Sequence, residues 1–128
     1  MKISILKLGD LLVTSLQEDL TDQDAVEFQS DLLSKTANSD AVGVVIDISG
    51  LDIVDSYMAR ILNDTANMVR LLGTEVVICG MQPAVALTLM EMGRELIGVE
   101  AALNLDLGIT KVRGLINERR RGEGPVSG

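Results

Sequence analysis

Two stretches of this chain, VGVVIDI over 42–48 and EVVICGM over 75–81, are apolar along nearly their whole length. A strand with one wet face alternates apolar and polar residues. A strand apolar throughout is covered on both faces, as in a parallel sheet held between layers of helices. Each stretch is followed by a helix-period segment. After 42–48 a helix is predicted from about Ser56 to Leu72, with Met58, Ile61, Leu62, Thr65, Val69 and Leu72 on one side and Gly73 placed to end it. After 75–81, Pro83 stands at a first-turn position and a short helix runs through Met92 to Gly93.

The opening departs from this alternation. ISILKLG and LLVTSL are short strand-forming runs joined at Gly9-Asp10, which signals a hairpin. Thr21 and Asp24 then have capping-box-like spacing ahead of a helical stripe, Ala25, Phe28, Leu32 and Leu33. A weak strand is expected around Val99–Leu103, and a final helix from an N-cap at Asp106, with Ile109, Val112, Leu115 and Ile116 inward. The predicted order is β-β-α-β-α-β-α-β-α: an α/β fold whose mixed sheet of about five strands opens with an antiparallel pair and is packed with about four helices. Residues 1–117 form the expected domain; 118–128 have the composition of a flexible tail.

Composition removes several function classes. The 128 residues include no histidine, so triads with a His base, His-ligated metals and phosphohistidine chemistry are excluded. With no Trp, one Tyr and one Phe, a stacking platform for single-stranded nucleic acid is not available. The formal charge is −8, and from Asp10 to Asp64 twelve acidic residues face two basic ones, Lys35 and Arg60. Such a body repels nucleic acid and anionic membrane and suits a basic protein surface, or solvent alone. Residues 113–128 are instead net +2, and the RRR at 119–121 reads as a solvated helix end. The single Cys79, with no signal-peptide pattern or apolar run of membrane-spanning length, fits a reducing, cytoplasmic setting. In mid-strand it reads as an inert core thiol, and Met90 and Met92 as core or interface filling. The glycines at 43, 50, 80 and 108 lack nucleotide-binding spacing, and no cofactor is expected.

The most informative stretch is VVIDISGLDIVDSYMARIL, 44–62. A buried strand is expected to end at Asp47, a loop carries Asp52 and Asp55, and Ser56 opens the next helix. A first-turn serine lies near unpaired backbone N–H groups and the positive end of the helix dipole. One reading makes Asp55 or Ser56 simply the N-cap. The other makes Ser56 a kinase substrate, where phosphate adds about −1.5 to −2 charge beside Asp52 and Asp55.

This strand–loop–DS–helix segment, the opening strand pair, the Pro83 helix and the length resemble the STAS domain of bacterial anti-sigma-factor antagonists, over roughly residues 1–117. The run DISGLDIVDSYMAR is most similar to the stressosome branch of that family. In the simpler antagonists the acceptor serine is commonly followed by a small residue and glycine; here Tyr57 and Met58 stand there. The resemblance implies a non-enzymatic scaffold phosphorylated on Ser56 by a serine/threonine switch kinase that it sequesters and then releases. It implies dephosphorylation by a cognate phosphatase, and a large hetero-oligomer with a paralogous sensor-linked STAS protein. Asp52, Asp55, Tyr57 and Arg60 flank Ser56 and are the expected partner contacts.

Three alternatives compete. A simple anti-sigma-factor antagonist would bind an anti-sigma kinase directly. A phospho-aspartate receiver would use Asp47, but needs an acidic pair after its first strand and a lysine after its last, whereas Asp10 stands alone and Lys111 falls inside the final helix. A small hydrolase could gather Asp47, Asp52 and Asp55 around a metal, but no phosphate-cradling glycine loop accompanies them.

Overall fold

A computed structural model of the chain describes residues 3–93 and 99–122. Among the described residues nine elements follow in order: β1 (Ile5–Leu8), β2 (Leu11–Gln17), α1 (Asp22–Asn38), β3 (Gly43–Gly50), α2 (Ser56–Leu71), β4 (Glu75–Cys79), α3 (Pro83–Glu91), β5 (Glu100–Ala102) and α4 (Leu105–Gly122). The strands lie side by side in chain order. β1 and β2 are antiparallel, and every later neighbour is parallel. This is the mixed five-strand, four-helix α/β fold expected.

The apolar strands are explained by their two faces. Leu12, Val44, Ile46, Ile48, Val76 and Ile78 enter one core with residues of α1, α2 and α3, among them Phe28, Leu32, Leu62 and Val85. The residues between them, Leu11, Val45, Val77 and Cys79, face the other way against Val112 and Ile116 of α4. Three helices on one face and one on the other leave β3 and β4 without a wet side. The α1 cap forms as the spacing predicts: the Thr21 side chain accepts from the Asp24 amide and the Asp24 carboxylate from the Thr21 amide. Those bonds hold the Asp24 carboxyl below the ordinary carboxylate range.

Several boundaries differ from expectation. Leu72 is 50% exposed, because α2 ends at Leu71 and the stripe loses its support there. β3 continues past Asp47 to Gly50, so Asp47 lies within the strand and Ser49 is an exposed strand residue. α4 begins at Leu105, and the cap bond comes from Asn104, whose side chain accepts from the Leu107 amide at 2.9 Å. Asp106 sits in the first turn instead. The same helix runs to Gly122, five residues beyond Asn117, where the flexible tail was expected to begin. Arg119 donates to the Gly73 carbonyl and lies 4.0 Å from Glu75, while Arg113 and Arg120 reach Asp10 at 3.4 and 3.5 Å. These contacts tie the arginine-rich end back onto the domain. Residues 123–128 lie outside the described residues.

Candidate functional site

Because β2, β3 and β4 are parallel, the loops that leave them gather at one edge of the sheet, where open α/β folds place their sites. The middle loop, 51–55, carries the residues singled out from sequence. Its apolar members Leu51 and Val54 are buried and anchor it, while Asp52, Ile53 and Asp55 are exposed. Asp55 is the N-cap of α2: its carboxylate accepts from the Met58 amide at 2.8 Å. Ser56 is therefore the first helical residue, exposed and not the cap. Tyr57 follows it, partly exposed, and Arg60 is exposed one turn later, on the same side of the helix as Ser56. Asp52, Asp55, Ser56, Tyr57 and Arg60 thus form one continuous surface segment.

Two further residues at this edge come from the flanking loops, and no spacing in the sequence marks them. Glu18, after β2, meets Asp52; the hydrogen bond between the two carboxyl groups, and then the charge of Asp52, holds Glu18 above the ordinary glutamate range. Gln82, after β4, donates from Nε2 to Asp52 Oδ1 at 3.0 Å and to the Ser49 carbonyl at 3.1 Å. Glu18, Asp19, Asp22, Asp52 and Asp55 line an open pocket of about 380 Å³ beside the start of α2. The only sequence signal that could have found Glu18 and Gln82 is the general rule that loops after parallel strands converge.

The base of the loop is closely fitted. Gly80 has φ +75°, and a Cβ there would come 2.7 Å from Ser49 Cβ and 2.9 Å from Asp47 Oδ1. Asp47 itself accepts from the Ser15 hydroxyl at 3.3 Å and the Ser49 amide at 3.0 Å. Its neighbour across the ladder, Cys79, is fully buried, and burial first and the Asp47 charge second push its thiol up to about 11. At neutral pH that group is an inert thiol.

The rival chemistries are not assembled. Asp10, which a receiver would aim at a metal, is paired with Arg113 and Arg120 at the opposite edge. The Lys111 amine donates to the Ala101 carbonyl and lies 3.9 Å from Glu100. Asp47, Asp52 and Asp55 are engaged with Ser15, Gln82 and Met58 respectively. Among the described residues no group of His, Cys, Asp and Glu is arranged to hold a metal ion, and no helix is long and apolar enough to cross a membrane.

Residues 2–101 match the STAS domain profile. The chain belongs to the STAS domain family. It is 40% identical, with a TM-score of 0.82, to a serine-to-glutamate variant of Moorella thermoacetica RsbS, the match covering 90% of this chain and 97% of that one. A chain from the solved architecture of the stressosome, described as a signal integration and transduction hub, is 42% identical with a TM-score of 0.79, covering 88% and 98%. Among curated proteins, the RsbT co-antagonist protein RsbRA of Bacillus subtilis (strain 168) is 27% identical over 100 residues; the matched region is 36% of its length. The unphosphorylated anti-sigma-factor antagonist SpoIIAA shares the fold, with a TM-score of 0.70 at 12% identity. This chain is thus a STAS domain similar over most of its length to RsbS.

Proposed function

We propose that this STAS domain is a cytoplasmic regulatory scaffold of a stress-signalling partner-switching system. In that role it holds a serine/threonine switch kinase and releases it when Ser56 is phosphorylated. The observation that carries the reading is the division of labour at the start of α2. Asp55 supplies the cap, so the exposed Ser56 hydroxyl is not committed to holding the helix. A kinase can reach it, and a phosphate at a helix N-terminus meets the favourable end of the dipole, so modification leaves the fold standing. The flanking Ile53 is 79% exposed and Tyr57 is also accessible, giving a partner apolar surface on either side of the acceptor. A partner packed there would have to desolvate the added phosphate, which makes release the expected response.

The likeness to a chain of the stressosome supports assembly into a large hetero-oligomer with a paralogous STAS protein; in the proposed cycle that protein is sensor-linked and a cognate phosphatase resets Ser56. Exposed Leu6, Leu8, Leu71, Leu87, Met90 and Leu103 provide apolar surface for such contacts. Incubation with the cognate kinase and ATP, followed by phosphopeptide mapping, tests the site. The label is expected on Ser56, and label on Ser49 with Ser56 unmodified overturns the assignment. Sedimentation with and without a sensor-linked STAS partner tests the scaffold: a strict monomer in both conditions counts against it.

A further inference from the structure

Gln82 occupies the N-cap position of α3, yet its side chain makes no capping bond to that helix. Ser, Thr, Asp and Asn are the residues that cap well, because their short side chains turn back onto the first-turn amides. The longer glutamine instead crosses to the neighbouring loop, where one nitrogen serves two acceptors, the Ser49 carbonyl and Asp52 Oδ1, at 3.1 and 3.0 Å. A primary amide carries two N–H donors, so both acceptors can be satisfied at once. These acceptors bracket the turn between β3 and α2: Ser49 lies at the end of the strand and Asp52 within the loop.

Within that loop the Leu51 amide donates to the Ile48 carbonyl at 3.0 Å, and the next described backbone amide bond beyond it is the Asp55 cap on Met58. Between those points the loop is held by the buried side chains of Leu51 and Val54 and by what reaches it from outside. We propose that Gln82 is a positioning residue for the Ser56 loop: its carboxamide braces Ser49 to Asp52 and fixes the path on which the acceptor serine is presented. The Gly80 turn supports the brace, because its missing Cβ lets the β4–α3 connection close onto Asp47 and Ser49. The inference rests on the phosphorylation reading for its functional consequence, but the brace itself is testable without a kinase.

Gln82→Glu keeps the length of the side chain and removes both donors, setting a carboxylate against the Ser49 carbonyl and the Asp52 carboxylate. Gln82→Ala removes the brace without adding repulsion. Residue-resolved hydrogen–deuterium exchange on the full chain reads the result at the Leu51 and Met58 amides. Both variants are expected to accelerate these amides, by about tenfold for Gln82→Ala, the factor that ~1.4 kcal/mol corresponds to, and more for Gln82→Glu. The β3 amides from Val44 to Ile48 are expected to keep their protection, which shows the fold intact. Steady-state phosphorylation by the cognate kinase should show kcat/KM reduced by a similar factor. Unchanged exchange at Leu51 and Met58 in both variants overturns the brace. Accelerated exchange with wild-type phosphorylation kinetics overturns its positioning role. If wild-type protein takes no label on Ser56, the proposed function fails while the exchange result still decides the brace.

Discussion

Asp55 accepts the Met58 amide at 2.8 Å, and the neighbouring Ser56 hydroxyl has no part in that cap. The two residues should therefore separate in an unfolding experiment. Asp55→Ala is expected to cost about 1 kcal/mol, the usual loss for an N-cap. Ser56→Ala, an exposed change away from any such feature, should stay within about 0.5 kcal/mol while abolishing phosphorylation and leaving the kinase held. Urea denaturation of the two variants checks this, and the reverse ranking would return the cap to Ser56. Sequence alone left the choice between these residues open, because aspartate and serine are equally good caps and only the backbone path decides which one stands outside the helix. Gly80 offers a second contrast. It and Gly93 both have positive φ, +75° and +64°, but a Cβ at Gly93 meets nothing within 4 Å whereas one at Gly80 runs into Ser49 and Asp47. Gly93→Ala is expected to cost about 1 kcal/mol from backbone strain alone. Gly80→Ala should cost clearly more and also disturb the Ser56 loop, visible as faster exchange at Leu51. Equal losses from the two substitutions would show that the close approach at Gly80 is relieved without consequence.

The elements that could be read from the chain are those whose signal is local. β3 and β4 announce themselves by apolar runs, α1 by its capping box and α2 by its stripe, and all four form, with β3 extended to Gly50 and α2 ending one residue early at Leu71. The failures lie where a distant residue decides. Asn104 and Asp106 are both competent caps two positions apart, and α4 starts at the earlier one, with Gly108 buried one turn in against Cys79 and Val45. The polar run after Asn117 looks unstructured by composition, yet its arginines find Asp10 and Glu75, partners remote in sequence. Glu18 and Gln82 were invisible as site residues for the same reason: the loops following three different strands bring them to Asp52. That convergence has a pH signature. Asp52 raises the Glu18 pKa above the ordinary glutamate value of 4.5, with Asp19 adding a smaller push in the same direction. A carboxyl whose folded pKa lies above its unfolded one makes the native state bind more protons, so stability falls as pH rises. The loss begins near the unfolded value of 4.5 and is complete above the raised folded value. NMR titration should find Glu18 half-protonated above the ordinary glutamate range, and Asp52→Asn should lower that midpoint. An unmoved midpoint in the variant would remove Asp52 as the cause.

At the scale of the whole molecule the charges are sorted along the strands. Glu18, Asp19, Asp22, Asp52 and Asp55 collect at the edge where the parallel strands end. Arg119 and Arg120 sit at the opposite edge, where they meet Gly73, Glu75 and Asp10. An acidic edge draws in a basic partner, yet a phosphate on Ser56 only makes that edge more acidic, so long-range attraction by itself would predict tighter binding after phosphorylation. In the proposed switch, release would then act at short range, on a partner packed over the exposed Ile53 and Tyr57 on either side of Ser56. There, about −1.5 to −2 units of charge would have to lose their water, and a close contact cannot form around a hydrated phosphate. The two effects fall on different rate constants. Charge at the rim of an interface steers association and is screened by salt, whereas a defect in the packed centre shortens the life of the complex. Stopped-flow measurement with the switch kinase should find that raising salt from about 0.05 to 0.5 M slows association of the unphosphorylated protein, as the screening length shrinks below the width of the acidic edge. Phosphorylation of Ser56 should leave association nearly as fast and raise koff by tenfold or more. Ser56→Asp, carrying less charge and volume than a phosphate, should raise koff by a smaller factor. If phosphorylation instead slows association and spares koff, the partner's contact surface is acidic, and release works by long-range repulsion and not by failure to pack.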